Sequence, residues 1–114
     1  MNMITKKRTV GLVLTTGNQD IYTVPENHES NIKSIFISNL TGGTVTFSLD
    51  WYDSESTTYH TIAEATTLKA NALIQITEGF WLRKTDKIRG LASASASVQI
   101  SINIEEEYVP KQFN

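Results

Sequence analysis

The sequence predicts an all-β domain of eight or nine short strands, folded as an antiparallel β-sandwich of jelly-roll-like type. Three observations carry that prediction. Between Ser97 and Glu107, Val98, Ile100, Ile102 and Ile104 alternate with Gln99, Ser101, Asn103 and Glu105. Side chains on a strand point alternately to its two faces, so one face here is wholly aliphatic, and its β-branched residues suit a pleated surface better than a helix. Val45, Phe47, Leu49 and Trp51 repeat the pattern against Thr44, Thr46, Ser48 and Asp50, which supplies a second apolar face to cover the first. Clusters of Gly, Asn, Asp, Ser and Thr punctuate the chain at roughly 8–12-residue intervals, the spacing of sandwiches and barrels, and short turns favour antiparallel pairing.

Taken in order, residues 1–7 are expected to form an N-terminal arm, 8–108 a single sandwich domain and 109–114 a C-terminal tail. The first strand is expected from Arg8 to Thr15, with Val10, Leu12 and Leu14 on one face. Thr16 to Asp20 is a turn whose Gly17 and Asn18 accept positive φ. Ile21 to Val24 resumes extended structure until Pro25 stops it. Ile32 to Leu40 carries Ile35 and Ile37 on one side and Phe36 on the other, which predicts a central or interface strand. Gly42-Gly43 predicts a tight primed hairpin turn into the Val45 strand. Asp53 to Thr58 is a turn and Tyr59 to Ile62 a short strand, with a helical turn conceivable from Ala63 on. Thr66 to Ile76 reads as extended with a kink near Ala70-Asn71, followed by Phe80-Trp81-Leu82, a polar turn over Lys84 to Lys87, and Ile88 to Ala92.

Bulk properties narrow the function. A length of 114 residues, 39% hydrophobic and 19% charged, allows one folded domain with a modest core. A formal net charge of −2 argues against a nucleic-acid partner, since a dedicated binder carries a basic excess. The absence of cysteine excludes disulfides, thiolate metal sites and thiol nucleophiles. MNMITKKRTV lacks the apolar run of a signal peptide, and no stretch approaches the roughly 18 apolar residues of a membrane span. No membrane partner and synthesis in the cytoplasm are therefore expected.

Candidate chemistry is sparse. His28 and His60 fall in different segments without convergent partners, and Asp50, Asp53 and Glu55 lack the spacing of a calcium loop. Asn39-Leu40-Thr41 matches a glycosylation acceptor by chance frequency alone. No catalytic residue, no metal and no cofactor is expected. The candidate contact residues are aromatics and charges. Trp51-Tyr52 and Phe80-Trp81 are adjacent pairs, so one member of each must leave the core, and Tyr52 and Trp81 are expected to face out. Lys6, Lys7 and Arg8 open the first strand, while Glu105, Glu106 and Glu107 close the last. Either the two clusters meet inside one subunit, or the basic arm docks on an acidic neighbour.

The segment Ile21-Tyr22-Thr23-Val24-Pro25, the strand Ile32 to Asn39, the Thr/Gly turn, the Val-x-Phe-x-Leu strand with Trp51-Tyr52-Asp53, and Trp81-Leu82 before Thr85-Asp86-Lys87-Ile88 form an ordered series. Over about residues 21–104 this series resembles small β-sandwich virion structural proteins of tailed bacteriophages, although Thr85 stands where that pattern usually has Gly. The resemblance implies a non-catalytic structural protein of the virion, a capsid decoration (cement) protein first and a neck or tail accessory second. It implies partners among the major capsid protein or neck and tail proteins, self-association as a homo-oligomer, and synthesis in the host cytoplasm. A carbohydrate-binding module using outward aromatics at a host-recognition tip is the alternative from another class.

Overall fold

A computed structural model describes residues 5–110. Nine strands are present: β1 Thr5–Val13, β2 Gln19–Thr23, β3 His28–Asn39, β4 Val45–Asp53, β5 Thr58–Leu68, β6 Leu73–Ile76, β7 Phe80–Leu82, β8 Lys87–Ala92 and β9 Val98–Tyr108. They form two sheets, one in the order β1-β9-β3-β6 with β7 also paired to β3, the other in the order β2-β8-β4-β5. Every pairing is antiparallel. Successive strands alternate between the sheets except at the β4–β5 hairpin and where β6 and β7 continue one edge, which is the jelly-roll order.

The two sequence-predicted apolar faces line the core. Val98, Ile100, Ile102 and Ile104 are at most 1% exposed, and Phe47 and Leu49 on the opposing sheet at most 2%. Each such side chain contributes about 1.5–3 kcal/mol by leaving water. β9 lies between β1 and β3, and its register is fixed by eleven Cα pairs with β3, from His28↔Tyr108 to Asn39↔Val98. A bulge between Ile32 and Ser34 lets β3 change phase, so Ile32, Ile35 and Ile37 all point inward. A second bulge, between Asp20 and Tyr22, turns both Ile21 and Tyr22 into the core. Gly90 makes room for it: a Cβ there would lie 2.7 Å from Leu49 Cδ2, 2.9 Å from the Ser48 carbonyl and 3.2 Å from Ile21 Cδ1.

Several expectations are corrected. The first strand begins at Thr5 rather than Arg8, because the backbone of Thr5 to Lys7 extends the ladder to Glu107, Glu106 and Glu105. Gly42-Gly43 makes no primed hairpin turn: no glycine takes positive φ, and β3 and β4 lie in different sheets, so the segment is an arch. Asn39 closes that arch. Its buried Nδ2 donates to the carbonyls of Gly43, Leu68 and Lys69 at 2.7, 3.2 and 2.9 Å, while its Oδ1 accepts from Thr41 N and Oγ1. The stretch from Ala63 is strand throughout, since two register shifts against β4 and a positive φ at Ala65 absorb the extra residues. Thr66 to Ile76 is divided between β5 and β6. Trp51 is half-buried against the core rather than enclosed by it.

Thr85 has φ of 64°, the left-handed conformation that glycine adopts without strain. The neighbouring Asp86, 3% exposed, holds this turn to the β4–β5 turn, accepting from Ser54 N, Ser54 Oγ and Arg83 N, each at 2.9 Å. Thr85 Oγ1 donates to Ser54 Oγ at 2.9 Å, a bond that glycine would not make.

Candidate interaction surfaces

Strand alternation splits the two charged triplets between faces. In the β1–β9 ladder Lys6 stands opposite Glu106 and Lys7 opposite Glu105. The clusters therefore meet inside one chain. Arg8 has the inward parity of Val10 and Leu12, and Glu106 that of Ile104. Glu106 is 3% exposed, so its carboxylate is not offered to a partner by this chain. It accepts from the Tyr22 hydroxyl at 2.5 Å and from Arg8 Nη1 at 3.3 Å, and the same hydroxyl lies 2.6 Å from Ser30 Oγ. Arg8 also sits over the Tyr22 ring, 5.9 Å from its centroid. This network closes one end of the core. Burial pushes the Tyr22 phenol well above its ordinary range, and the Glu106 carboxylate beside it pushes the same way. Glu105 pairs with Lys33 at 3.3 Å on the outer face.

Tyr52 and Trp81 both face outward, on different sheets. Tyr52 stacks at a tilt on Tyr59 with centroids 4.6 Å apart, on the outer face of β2-β8-β4-β5. Lys87 lies 5.6 Å from the Tyr52 centroid and the Arg89 guanidinium 3.4 Å from that of Tyr59, while Arg89 Nε donates to Asp50 at 3.0 Å. That face is a charged, internally paired surface. Trp81 is 59% exposed and stands opposite Asn31 on the outer face of the other sheet.

That other outer face has a different character. Its rows, read across the strands, are Val13–Gln99–Ser38–Leu73, Gly11–Ser101–Phe36–Gln75 and Thr9–Asn103–Ser34. None of these residues is charged. Thr9 Oγ1 donates to Asn103 Oδ1 at 2.9 Å and Asn103 Nδ2 to Ser34 Oγ at 2.8 Å, a polar ladder spanning three strands. Sequence reading singled out the charged ends and the paired aromatics and missed this face. The only available signal was the uncharged alternation of Gln99, Ser101 and Asn103, which strand pairing extends to a surface.

The histidines are occupied locally. His28 Nδ1 lies 2.7 Å from the Glu26 carbonyl and the ring meets Tyr108 edge-on, whereas His60 stacks on Trp51 with centroids 4.6 Å apart. An open cleft of about 590 Å³ lies at the same end as the Glu106 network, between the β2–β3 and β7–β8 connections, with Glu26, Glu29, Glu55, Arg83 and Lys84 in its lining. Arg83 Nη1 pairs with Glu55 there at 2.7 Å. Among the described residues no group of three or more His, Asp or Glu converges as a metal site would require.

No protein-family profile matches the sequence, and no curated protein sequence matches it. Solved structures do share the fold. A chain in the structure of Bacillus endospore appendages, a novel family of disulfide-linked pili, superimposes with a TM-score of 0.53 at 13% identity, covering 96% of this chain and 89% of that one. A chain in the acid-stable capsid structure of Helicobacter pylori bacteriophage KHP30 superimposes with a TM-score of 0.53 at 8% identity, covering 93% of this chain and 91% of that one.

Proposed function

We propose that this chain is a non-catalytic structural protein of a bacteriophage virion, seated on the capsid as a decoration (cement) protein in contact with the major capsid protein. The observation that carries the proposal is the jelly roll itself, whose likeness to a chain in the KHP30 capsid structure runs over nearly the whole length of both. The buried polar side chains agree with it: Asn39 and Asp86 staple loops and Glu106 closes the core, so each does structural work within the chain. The absence of cysteine favours the capsid over a disulfide-linked pilus, because this chain cannot contribute a disulfide to its assembly contacts. Lys6, Lys7, Arg8, Glu105 and Glu107, together with outward Tyr52 and Trp81, are the proposed contact residues, toward the capsid protein or toward another copy, and buried Glu106 is withdrawn from that set.

Add-back to particles lacking the protein tests this. Bound protein should raise the temperature at which the particles release their genome. Failure to bind, or binding without any shift, would refute the cement role. Deleting Met1 to Lys7 removes three ladder positions of β1, and the four residues before them lie outside the described ones. The truncated domain should still fold, because exposed ion pairs contribute only about 0–1 kcal/mol each. If the basic segment touches the capsid, attachment should weaken on deletion and, for the intact protein, as salt rises. Full attachment of the truncated, folded protein would remove Lys6 and Lys7 from the contact.

A further inference from the structure

We infer that the outer face of the β1-β9-β3-β6 sheet, centred on its uncharged rows, is a self-association surface, on which a second copy of this chain lies face to face. The inference concerns the chain alone and stands whether or not the chain works in a virion. Its basis is a match between the face and its own mirror order. Consider a two-fold axis lying along the strands, midway between β9 and β3. Rotation about it sets β1 over the β6–β7 edge of the other copy, and β9 over β3.

The row Val13–Gln99–Ser38–Leu73 then meets its own reverse. Val13, 40% exposed, covers Leu73, 59% exposed, and does so twice because the contact is isologous. In the next row half-buried Phe36 meets Ser101, beside Gly11. Gly11 and Ser101 leave a shallow trough there: a Cβ on Gly11 would find nothing closer than 3.9 Å. Toward the charged end, the row Lys7–Glu105–Asn31–Trp81 brings the Lys7 ammonium over exposed Trp81 and the Asn31 amide toward Glu105. An ammonium over an indole face is attractive. The large apolar groups on this face are thus matched, and the next row, which would set Glu107 over Glu29 of the other copy, confines the contact to the rows from Val13 to Lys7.

The composition is that of an interface core, where charged residues are depleted. The charged outer face of the other sheet, with its Arg89–Asp50 and Lys87–Asp20 pairs, lacks it. Sheets packed face to face lie about 10 Å apart with strands within about 30° of each other, which keeps each row over its counterpart. About seven residues of strand at ~3.3 Å and four strands at ~4.8 Å make a patch of roughly 440 Å² per copy before side-chain relief. Two such patches total roughly 880 Å², the size of a weak contact, so the dimer is expected to be concentration-dependent.

Cysteine chemistry tests the arrangement cleanly, because the chain contains none. In a Val13→Cys, Leu73→Cys double variant the two thiols lie three strand spacings apart within one chain, about 14 Å, too far to bridge internally. Across the proposed dimer they face each other. A short bis-maleimide, which spans the ~10 Å between facing sheets where a disulfide would not, should therefore give a covalent dimer on a denaturing gel, at twice 12.7 kDa, and the Val13→Cys variant alone should give none. Sedimentation supplies the second readout. Ser101→Lys and Phe36→Glu should each abolish self-association while retaining the far-UV spectrum, and an equimolar mixture of the two should associate again. A wild type that stays monomeric up to its solubility limit would overturn the inference. So would equal cross-linking of the single-cysteine control, or an undiminished dimer in folded Ser101→Lys.

Discussion

Removing one oxygen, in Tyr22→Phe, should cost this protein a large part of its stability. The Tyr22 hydroxyl donates to the buried Glu106 carboxylate at 2.5 Å and lies 2.6 Å from the Ser30 hydroxyl, itself fully buried. A hydrogen bond to a charged group is worth about 1.5–3 kcal/mol, and a buried hydroxyl stripped of its partner costs about 1 kcal/mol more. The expected loss is therefore about 2–4 kcal/mol. At roughly 2.1 cal/mol/K per residue, 114 residues convert each kcal/mol into about 4 °C. Thermal unfolding at pH 7 should show Tm falling by about 8–16 °C. The pH dependence identifies the cause. Burial, then the Glu106 carboxylate, raises the phenol above its ordinary 10.0, so the folded state keeps a proton that the unfolded chain gives up. That stability is complete below pH 10 and declines as pH rises toward the folded value. The gap between wild type and Tyr22→Phe should narrow above pH 10. A Tm loss of under about 2 °C, or a gap constant from pH 7 to 11, would refute the reasoning.

Other perturbations test the rest of the fold. Ile102→Asp forces a charge into the centre of the β9 face and should abolish cooperative unfolding; a soluble variant with a wild-type melt would contradict the core assignment. Gly90→Ala brings a methyl within 3.0 Å of both Leu49 Cδ2 and the Ser48 carbonyl and should cost about 1–3 kcal/mol by denaturant titration. Thr57→Gly should have the opposite sign. Thr57 is exposed with φ of 55°, and relieving that strain should raise the denaturation midpoint by the equivalent of about 0.5–1 kcal/mol.

Much of the architecture is legible in the sequence because alternation is a local property. β9 and β4 declare their inner faces in eleven and nine residues respectively. Glu106 shows where that reading stops. Its parity continues the series from Val98 to Ile104, yet its charge argues for the surface, and only the distant Tyr22, Ser30 and Arg8 make its burial affordable. Gly42-Gly43 fails for a related reason: turn chemistry describes a bend but not which sheet receives the next strand. Tyr52 and Trp81 are placed outward by adjacency to Trp51 and Phe80, and the structure has them there. The uncharged face was hidden because it is assembled from four strands separated in sequence. No single segment announces it.

The most direct test of the proposed role is whether the chain is found in purified phage particles and, if so, at what stoichiometry to the major capsid protein by quantitative mass spectrometry. A decoration protein should be present in numbers comparable to the capsid subunit and should stay with the particle through gradient purification. A handful of copies per particle would move it to the neck or tail, and its absence from washed particles would contradict the structural role altogether.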